Sequence, residues 1–214
     1  MQVKNKNYVE FLETGMMKTL DIDIISKALD NVKGVRGLHI DEHRSFLITS
    51  YYTGARPVEI LSLRQGDVWK EENYILFKIP AAKNGKTRIL RINYKRRHIK
   101  ECYLYCWHQF PGVLLYPNMI GSTIKYVTLP NGVKKKYIEK TRRIRYYMKH
   151  WFDTLIDDGI PPYYLRHNRF SKTSLKGGST EDIMIMKGAK DIKSAQYYIH
   201  MNAKKSKQLA RIID

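Results

Sequence analysis

The sequence predicts a mostly α-helical domain with a small antiparallel β-sheet near its middle, an α+β fold. Apolar residues recur at helical spacing in the first and last thirds of the chain, and two Asn-Gly pairs each lie between strand-like segments. The chain has 214 residues, of which 43% are hydrophobic. This is enough for one core, so a single globular unit with short tails is expected.

Three helices are predicted in the first 64 residues. The first, DIDIISKALDNVK, covers 21–33 and stops at Gly34. The second covers 41–53 and stops at Gly54, because glycine readily adopts the left-handed conformation that ends a helix. Pro57 then begins a third, short helix, RPVEILSL, since its ring suits the first helical turn.

Two β-hairpins are predicted around the Asn-Gly pairs, which favour two-residue hairpin turns. Asn84-Gly85 lies between NYILFKIPAAK and TRILRI, and Asn131-Gly132 lies between TIKYVTL and VKKKYI. A helix over 95–110 is expected between the hairpins.

From residue 141 onwards the pattern is helical again. One apolar face comprises Ile144, Tyr147, Met148, Trp151, Phe152 and Leu155. Pro161-Pro162 ends this helix and precedes another, YYLRHNRFSKTSL, followed by the short helices STEDIMIMKG and DIKSAQYYIHM. The predicted organisation is a tail or linker over 1–17, one domain over 18–203 and a basic tail over 204–214.

The net charge of +19 lies in the second part of the chain. Residues 1–80 hold 11 Lys or Arg and 11 Asp or Glu, whereas residues 81–214 hold 28 and 9. Aromatic residues alternate with bases in KKKYIEKTRRIRYYMKH, which favours nucleic acid over a merely solvated basic surface, with an RNA or membrane partner as the alternative. The predicted DNA contacts are Lys86, Arg88, Lys134, Lys135, Lys136, Arg142 and Arg143.

Composition excludes several classes of protein. No apolar run approaches the roughly 18 residues of a membrane span, so no membrane-crossing segment is expected, and DNA rather than a membrane is the expected partner. Cys102 and Cys106 lie four apart in a predicted helix, with only His98 and His108 nearby. Buried, reduced thiols are therefore expected rather than a metal site.

Three separated segments hold the candidate catalytic residues. Arg56 follows TG in TGARPVEI, with Glu59 three residues later. Lys83 precedes the hairpin turn in AAKNGKTRILRI. Arg166 in YYLRH precedes Tyr198 in AQYYIHM by about thirty residues.

Together these segments resemble the tyrosine recombinases, the integrases of phages, plasmids and archaeal viruses and their chromosome-resolving relatives. In that family an arginine after TG precedes a Glu, a lysine lies on a β-hairpin, HxLRH supplies a second arginine, and a tyrosine in a YxH context is the nucleophile. The resemblance covers roughly residues 18–202 and implies the fold of the catalytic domain. It also implies strand breakage and rejoining on double-stranded DNA, a tetramer on DNA with a possible free monomer, and no cofactor or metal. The implied location is at nucleoid or host-cell DNA in the cytoplasm.

The residue types suit that reaction. Arg56 and Arg166 can stabilise charge on a phosphorane-like transition state, because guanidinium groups stay protonated and bind two phosphate oxygens. By the resemblance, Tyr198 attacks phosphorus to form a 3′-phosphotyrosyl ester, and Lys83 protonates the departing 5′ oxygen. Glu59 would orient Arg56. The phosphoester is conserved, so rejoining needs neither ATP nor metal.

Alternatives remain at several positions. Lys86 competes with Lys83 for the hairpin role, and Tyr197 competes with Tyr198 for the nucleophile. Neighbouring helical residues point about 100° apart, so one of the two tyrosines should face the core. His200 matches the trailing histidine of the family but could instead pack or touch phosphate.

The sequence departs from the family at two catalytic positions. Tyr163 stands where HxLR has histidine, and it could still donate a hydrogen bond. Ala189 stands where a later histidine is expected and can donate nothing, so the adjacent Lys190 is a candidate replacement. Residues 1–20 are too short for the usual N-terminal DNA-gripping domain, so the chain is expected to be either the catalytic half of a longer integrase or a minimal one.

The sequence therefore predicts a site-specific recombinase that integrates or excises a mobile element or viral genome. Two alternatives keep the fold. One is a DNA-binding protein whose catalysis is weakened, which Ala189 favours. The other is an enzyme like the type IB topoisomerases, which relaxes DNA without sequence preference.

Overall fold

The computed structural model describes residues 19–32, 39–82, 85–121, 123–128, 130, 132–139, 142–156 and 160–199. In parts of the second hairpin and at Arg142 this description is limited to the backbone. The predicted residues Gly34, Lys83, Asn84, Asn131 and His200 lie outside it.

The described residues form the following α-helices in chain order. They are α1 (Ile22–Asn31), α2 (Ile40–Thr53), α3 (Pro57–Ile60), α4 (Ile99–Trp107), α5 (Arg142–Phe152), α6 (Tyr164–Leu175), α7 (Thr180–Lys187) and α8 (193–199). The strands are β1 (Val68–Glu71), β2 (Tyr74–Ile79), β3 (Arg88–Asn93), β4 (Thr123–Thr128) and β5 (Lys134–Glu139).

Strands β1, β2 and β3 form an antiparallel sheet in that order. In its register, Ile75 pairs with Ile92 and Phe77 with Leu90, so these apolar residues share one buried face. Strands β4 and β5 form a separate antiparallel ribbon.

The main hydrophobic core surrounds α2. Leu47 and Ile48 of this helix are fully buried, and Trp151 and Tyr116 fill the space around it. Burial on nearly all sides explains why α2 lacks a polar face: it contacts both α4 and α6. Helices α6, α7 and α8 share a second, smaller cluster of buried residues: Phe170, Ile183, Ala195 and Tyr198.

The α+β class and the order of the predicted elements are confirmed. Helix α2 ends at Gly54 with φ of 60°, and Pro57 begins α3, which ends earlier than predicted, at Ile60. Strand β1 was not predicted. Helix α4 begins at Ile99 rather than 95, because His98 before it has a left-handed φ of 67°. Both cysteines are buried and free, as expected.

Candidate active site

Arg56 is fixed at the junction between α2 and α3. Its backbone N–H donates to Glu59 Oε2 at 2.7 Å, and its Nη1 donates to Glu59 Oε1 at 2.8 Å. The same carboxylate therefore caps the short helix and orients the guanidinium. One quarter of the Arg56 side chain is exposed (25%), so the group is held in place but open to solvent.

Glu59 lies at the centre of three guanidinium groups. Arg88 Nη2, from β3, donates to Glu59 Oε2 at 2.9 Å, and Arg166 Nη1 lies 3.9 Å from the same oxygen. Burial alone would raise the pKa of the Glu59 carboxyl, but hydrogen bonds and charge from Arg88 and Arg56 lower it below its usual value. We call Arg56, Arg88 and Arg166 the guanidinium cluster.

Arg166 is held by backbone oxygens from two other parts of the chain. Its Nη1 donates to the Gly54 carbonyl at 2.7 Å and its Nη2 to the Lys187 carbonyl at 3.1 Å. The guanidinium also lies over the Phe170 ring, 4.7 Å from its centre. Burial and the nearby Arg56 charge lower its pKa to about 10, so it is still a cation at neutral pH.

Tyr198 lies beside the guanidinium cluster. Its hydroxyl is 2.6 Å from His167 Nδ1, and its ring packs edge-on against Phe170. Burial raises the pKa of the Tyr198 hydroxyl, and the Arg166 charge opposes this rise. Tyr197 is 42% exposed whereas Tyr198 is 6% exposed, so Tyr198 is the member of the pair that faces inward.

His167 and Lys187 were not predicted as site residues. Burial, followed by the charges of Arg166 and Lys187, lowers the pKa of His167 to about 4, so the imidazole is neutral at pH 7. The Lys187 amine lies 5.1 Å from the centre of the Tyr198 ring. His167 follows Arg166 in YYLRH, but its contact with Tyr198 joins residues 31 positions apart and has no local sequence signal.

The turn between α7 and α8 packs against the central hairpin. Gly188 has φ of 60°, and a Cβ there would lie 2.7 Å from the Lys86 carbonyl oxygen and 2.8 Å from Arg88 Nη1. The Lys86 N–H donates to the Gly188 carbonyl at 3.0 Å. Glycine therefore permits the close approach of these two segments.

Arg88 differs from its prediction as a DNA contact. It is 7% exposed, and its guanidinium donates to Glu59 and, through Nε, to the Met186 carbonyl at 2.7 Å. This corrects the prediction that Arg88 contacts DNA, because the side chain is buried and forms an ion pair with Glu59.

The other predicted residues are distributed as follows. Tyr163 precedes α6 and is exposed, with no hydrogen bond from its side chain to Arg166 or Tyr198 among the residues described. Lys190 and Lys86 are exposed near the turn after α7. Lys134 and Lys136 are exposed on β5.

At the start of α5, Arg143 Nη1 donates to the Asn118 carbonyl at 3.1 Å. The side chains of Lys135 and Arg142 are not described. Within the described ranges, no group of three His, Cys, Asp or Glu residues could hold a metal ion.

Among the residues that the structure describes, no helix is both long enough and apolar enough to span a bilayer. No protein-family model and no curated protein sequence matches the chain.

Solved structures do match the fold. The crystal structure of XerA recombinase is 18% identical with a TM-score of 0.57, over 91% of this chain and 62% of that one. The chain has the fold of a tyrosine recombinase catalytic domain. A post-cleavage complex of the XerH site-specific recombinase with a palindromic difH substrate gives a TM-score of 0.63 at 15% identity, over 91% of this chain and 53% of that one.

The FLP recombinase in a Holliday junction complex gives a TM-score of 0.54 at 16% identity, over 89% of this chain and 49% of that one. The chain thus spans between about half and two thirds of the length of these recombinases. At these identities the likeness establishes the catalytic-domain fold.

Proposed function

We propose that this protein breaks and rejoins double-stranded DNA through a covalent bond between Tyr198 and a 3′ phosphate, as a site-specific recombinase. The observation that carries the proposal is the excess of positive charge beside an inward-facing tyrosine. Three guanidinium groups surround one buried carboxylate. Both Arg56 and Tyr198 lie close enough to Arg166 to affect its pKa. Such a site favours an anion, and a DNA phosphodiester supplies one.

In the cleavage step, Tyr198 Oη bonds to phosphorus and the P–O5′ bond breaks. The phenol proton passes to His167 Nδ1, which can accept it in the tautomer protonated on Nε2, because the ring is neutral at pH 7. Arg56 and Arg166 stabilise the charge on the non-bridging oxygens. Lys83, outside the described residues, gives a proton to the leaving 5′ oxygen.

In the rejoining step, the 5′ hydroxyl of a second strand attacks the phosphotyrosine and releases Tyr198. The exchange conserves one phosphoester bond, so the reaction runs in either direction. Integration or excision of a mobile element, by four protomers on two duplexes, is the proposed use of this chemistry. Exposed Lys86, Lys134, Lys136 and Arg143 are proposed to contact the DNA backbone.

The test uses duplexes that contain a nick and a randomised sequence around it, so that no target site need be known. After incubation, denaturing electrophoresis should reveal a protein–DNA species that resists SDS and disappears on protease treatment. Tyr198→Phe should abolish this species, whereas Tyr197→Phe, which alters the exposed neighbouring ring, should retain it. Absence of the species from the wild type, or its persistence in Tyr198→Phe, would refute the proposal.

A second candidate is a DNA-binding protein of the same fold with little or no cleavage. Ala189 favours it, because alanine offers no hydrogen bond to a phosphate where the family has histidine. In that case the protein binds the nicked duplexes but gives no covalent species. A DNA-relaxing enzyme would instead relax supercoiled plasmids regardless of their sequence.

A further inference from the structure

Lys187 occupies an unfavourable position for a lysine. It is the last residue of α7, and its side chain is neither fully exposed nor placed in an ion pair among the described residues. The amine donates instead to the Ser194 carbonyl at 2.6 Å, and it lies over the rings of Phe170 and Tyr198 at 5.8 and 5.1 Å from their centres. The amine is therefore directed toward the inward face of α8.

Positive charges lie close to this amine. Burial, followed by the charges of Arg166 and Arg56, lowers the pKa of Lys187 to about 8. The groups that face it are Arg166, His167 and Phe170 from α6, Arg56 from the junction before α3, Ser194 and Tyr198 from α8, and exposed Asp191 before α8. Of these, Asp191 alone carries a negative charge, and its effect is the smallest of those on Lys187.

The Ser194 carbonyl and the two aromatic rings hold this amine against electrostatic repulsion. A half-buried ammonium group is repelled by the two guanidinium groups beside it, and its burial carries a desolvation cost. The repulsion becomes attraction when an anion enters between the cations. The position also matters chemically, since the side chain of Ala189, two residues later, has no hydrogen-bond donor and its backbone N–H donates to the Met184 carbonyl at 3.1 Å.

We propose that Lys187 is a further catalytic residue, whose ammonium group binds the scissile phosphate together with Arg56 and Arg166 and replaces the donor that Ala189 lacks. This inference rests on the proposed function. It assigns to Lys187 the role considered above for Lys190, whose side chain is exposed. As the non-bridging oxygens gain charge in the transition state, the amine moves from the Ser194 carbonyl to one of them.

A purely structural role predicts different behaviour. If Lys187 served only to attach α8 through Ser194 and the aromatic rings, its charge would matter for stability and not for the chemical step. Two replacements separate the roles: Lys187→Met keeps the length of the side chain without charge, and Lys187→Arg keeps a charge that does not titrate near pH 8. Lys193→Met removes an exposed charge from α8 and is the matched control.

The experiment measures the single-turnover rate at which the covalent Tyr198 species forms on nicked duplexes, from pH 6 to pH 10. The protein is in excess, so that all of the DNA is bound. The wild-type rate should fall as pH rises through about 8, because the amine loses its proton there. Lys187→Met should be about 100-fold slower at pH 7, as for the loss of one transition-state donor, and should lack this fall. Lys187→Arg should keep the rate within about tenfold and move the fall to higher pH, and Lys193→Met should match the wild type.

Two outcomes would overturn the inference alone: an active wild type with Lys187→Met within twofold of it, or Lys187→Arg as slow as Lys187→Met with the same pH profile. In the second case, faster amide hydrogen exchange over 193–199 in both variants would identify an attachment role. A wild type that forms no Tyr198-dependent species would instead refute the proposed function, and this inference with it.

Discussion

Glu59 is the residue on which the guanidinium cluster depends, so Glu59→Gln should destabilise the protein strongly. The side chain keeps its volume and one acceptor oxygen, but its charge is lost. Arg88 then has no carboxylate partner among the described residues, and its charge is buried, since the residue is only 7% exposed. Leaving a buried charge unpaired costs about 3–5 kcal/mol, which for a domain of this size lowers the melting temperature by roughly 6–20 °C.

The measurement is thermal unfolding at pH 7, followed by circular dichroism. The matched control is Glu71→Gln, since Glu71 also accepts from an arginine, Arg91, at 2.8 Å, but both side chains are exposed. An exposed pair contributes about 0–1 kcal/mol, so this variant should melt within about 4 °C of the wild type. A shift below 2 °C for Glu59→Gln, or equal shifts for the two variants, would refute the argument.

Acid unfolding gives an independent check of the same carboxylate. The pKa of Glu59 is lower in the folded protein than the value of about 4.3 in an unfolded chain. The stability that its ionisation contributes is therefore complete above about pH 4.3 and is lost as pH falls through the folded pKa. Glu59→Gln should lack this part of the acid transition, and a wild-type curve parallel to that of the variant would contradict the assignment.

Three further predictions follow from the geometry. The folded pKa of His167, about 4, lies below its unfolded value, so wild-type stability should fall by about 2–3 kcal/mol from pH 6.5 to pH 4, and His167→Asn should remove that part of the fall in urea titrations. Gly54→Ala should cost about 2–3 kcal/mol, because φ is 60° and the new Cβ would lie 2.9 Å from a neighbouring side chain, whereas Gly66→Ala, with nothing within 4 Å, should cost under about 1 kcal/mol. Replacing Lys134 and Lys136 together by Gln should reduce the slope of log affinity for DNA against log salt by about 2 without changing the cleavage rate at saturating DNA; an unchanged slope would exclude these lysines from the contact.

Local patterns in the sequence were sufficient for most of the secondary structure. Gly54 and Pro57 define the junction that holds Arg56, because their backbone preferences act over a few residues. Strand β1 was missed because it has only four residues and lies at the edge of the sheet, where the partner strand β2 supplies the pairing.

The burial of Arg88 could have been predicted. In RILRIN the buried residues alternate, so Arg88 shares a face with Leu90 and Ile92, while Ile89 is 52% exposed. An arginine on the apolar face of a strand needs a buried acid, and Glu59 was already a candidate. The prediction of a DNA contact failed because it used the charge of the segment and ignored that successive side chains of a strand point to opposite faces of the sheet.

The contacts of His167 and Lys187 could not be predicted in the same way. Each depends on where α8 packs against α6 and α7, and that packing follows from long-range burial rather than from local spacing. Sequence analysis could identify Tyr198 by resemblance, but which side chains would surround its hydroxyl depended on tertiary structure.

The small buried cluster shared by α6, α7 and α8 also bears on how freely Tyr198 can move. Helix α8 contributes Ala195 and Tyr198 to its buried part, with Ile199 packed partly buried against it, and the main core around α2 contains none of the three. Undocking this last helix would expose these apolar side chains, at a cost on the order of 4 kcal/mol. It would also break the Tyr198–His167 and Lys187–Ser194 hydrogen bonds, while the main core stayed folded. In the proposed reaction, a protomer on DNA could therefore lend Tyr198 to an adjacent copy by releasing one helix rather than by unfolding the domain.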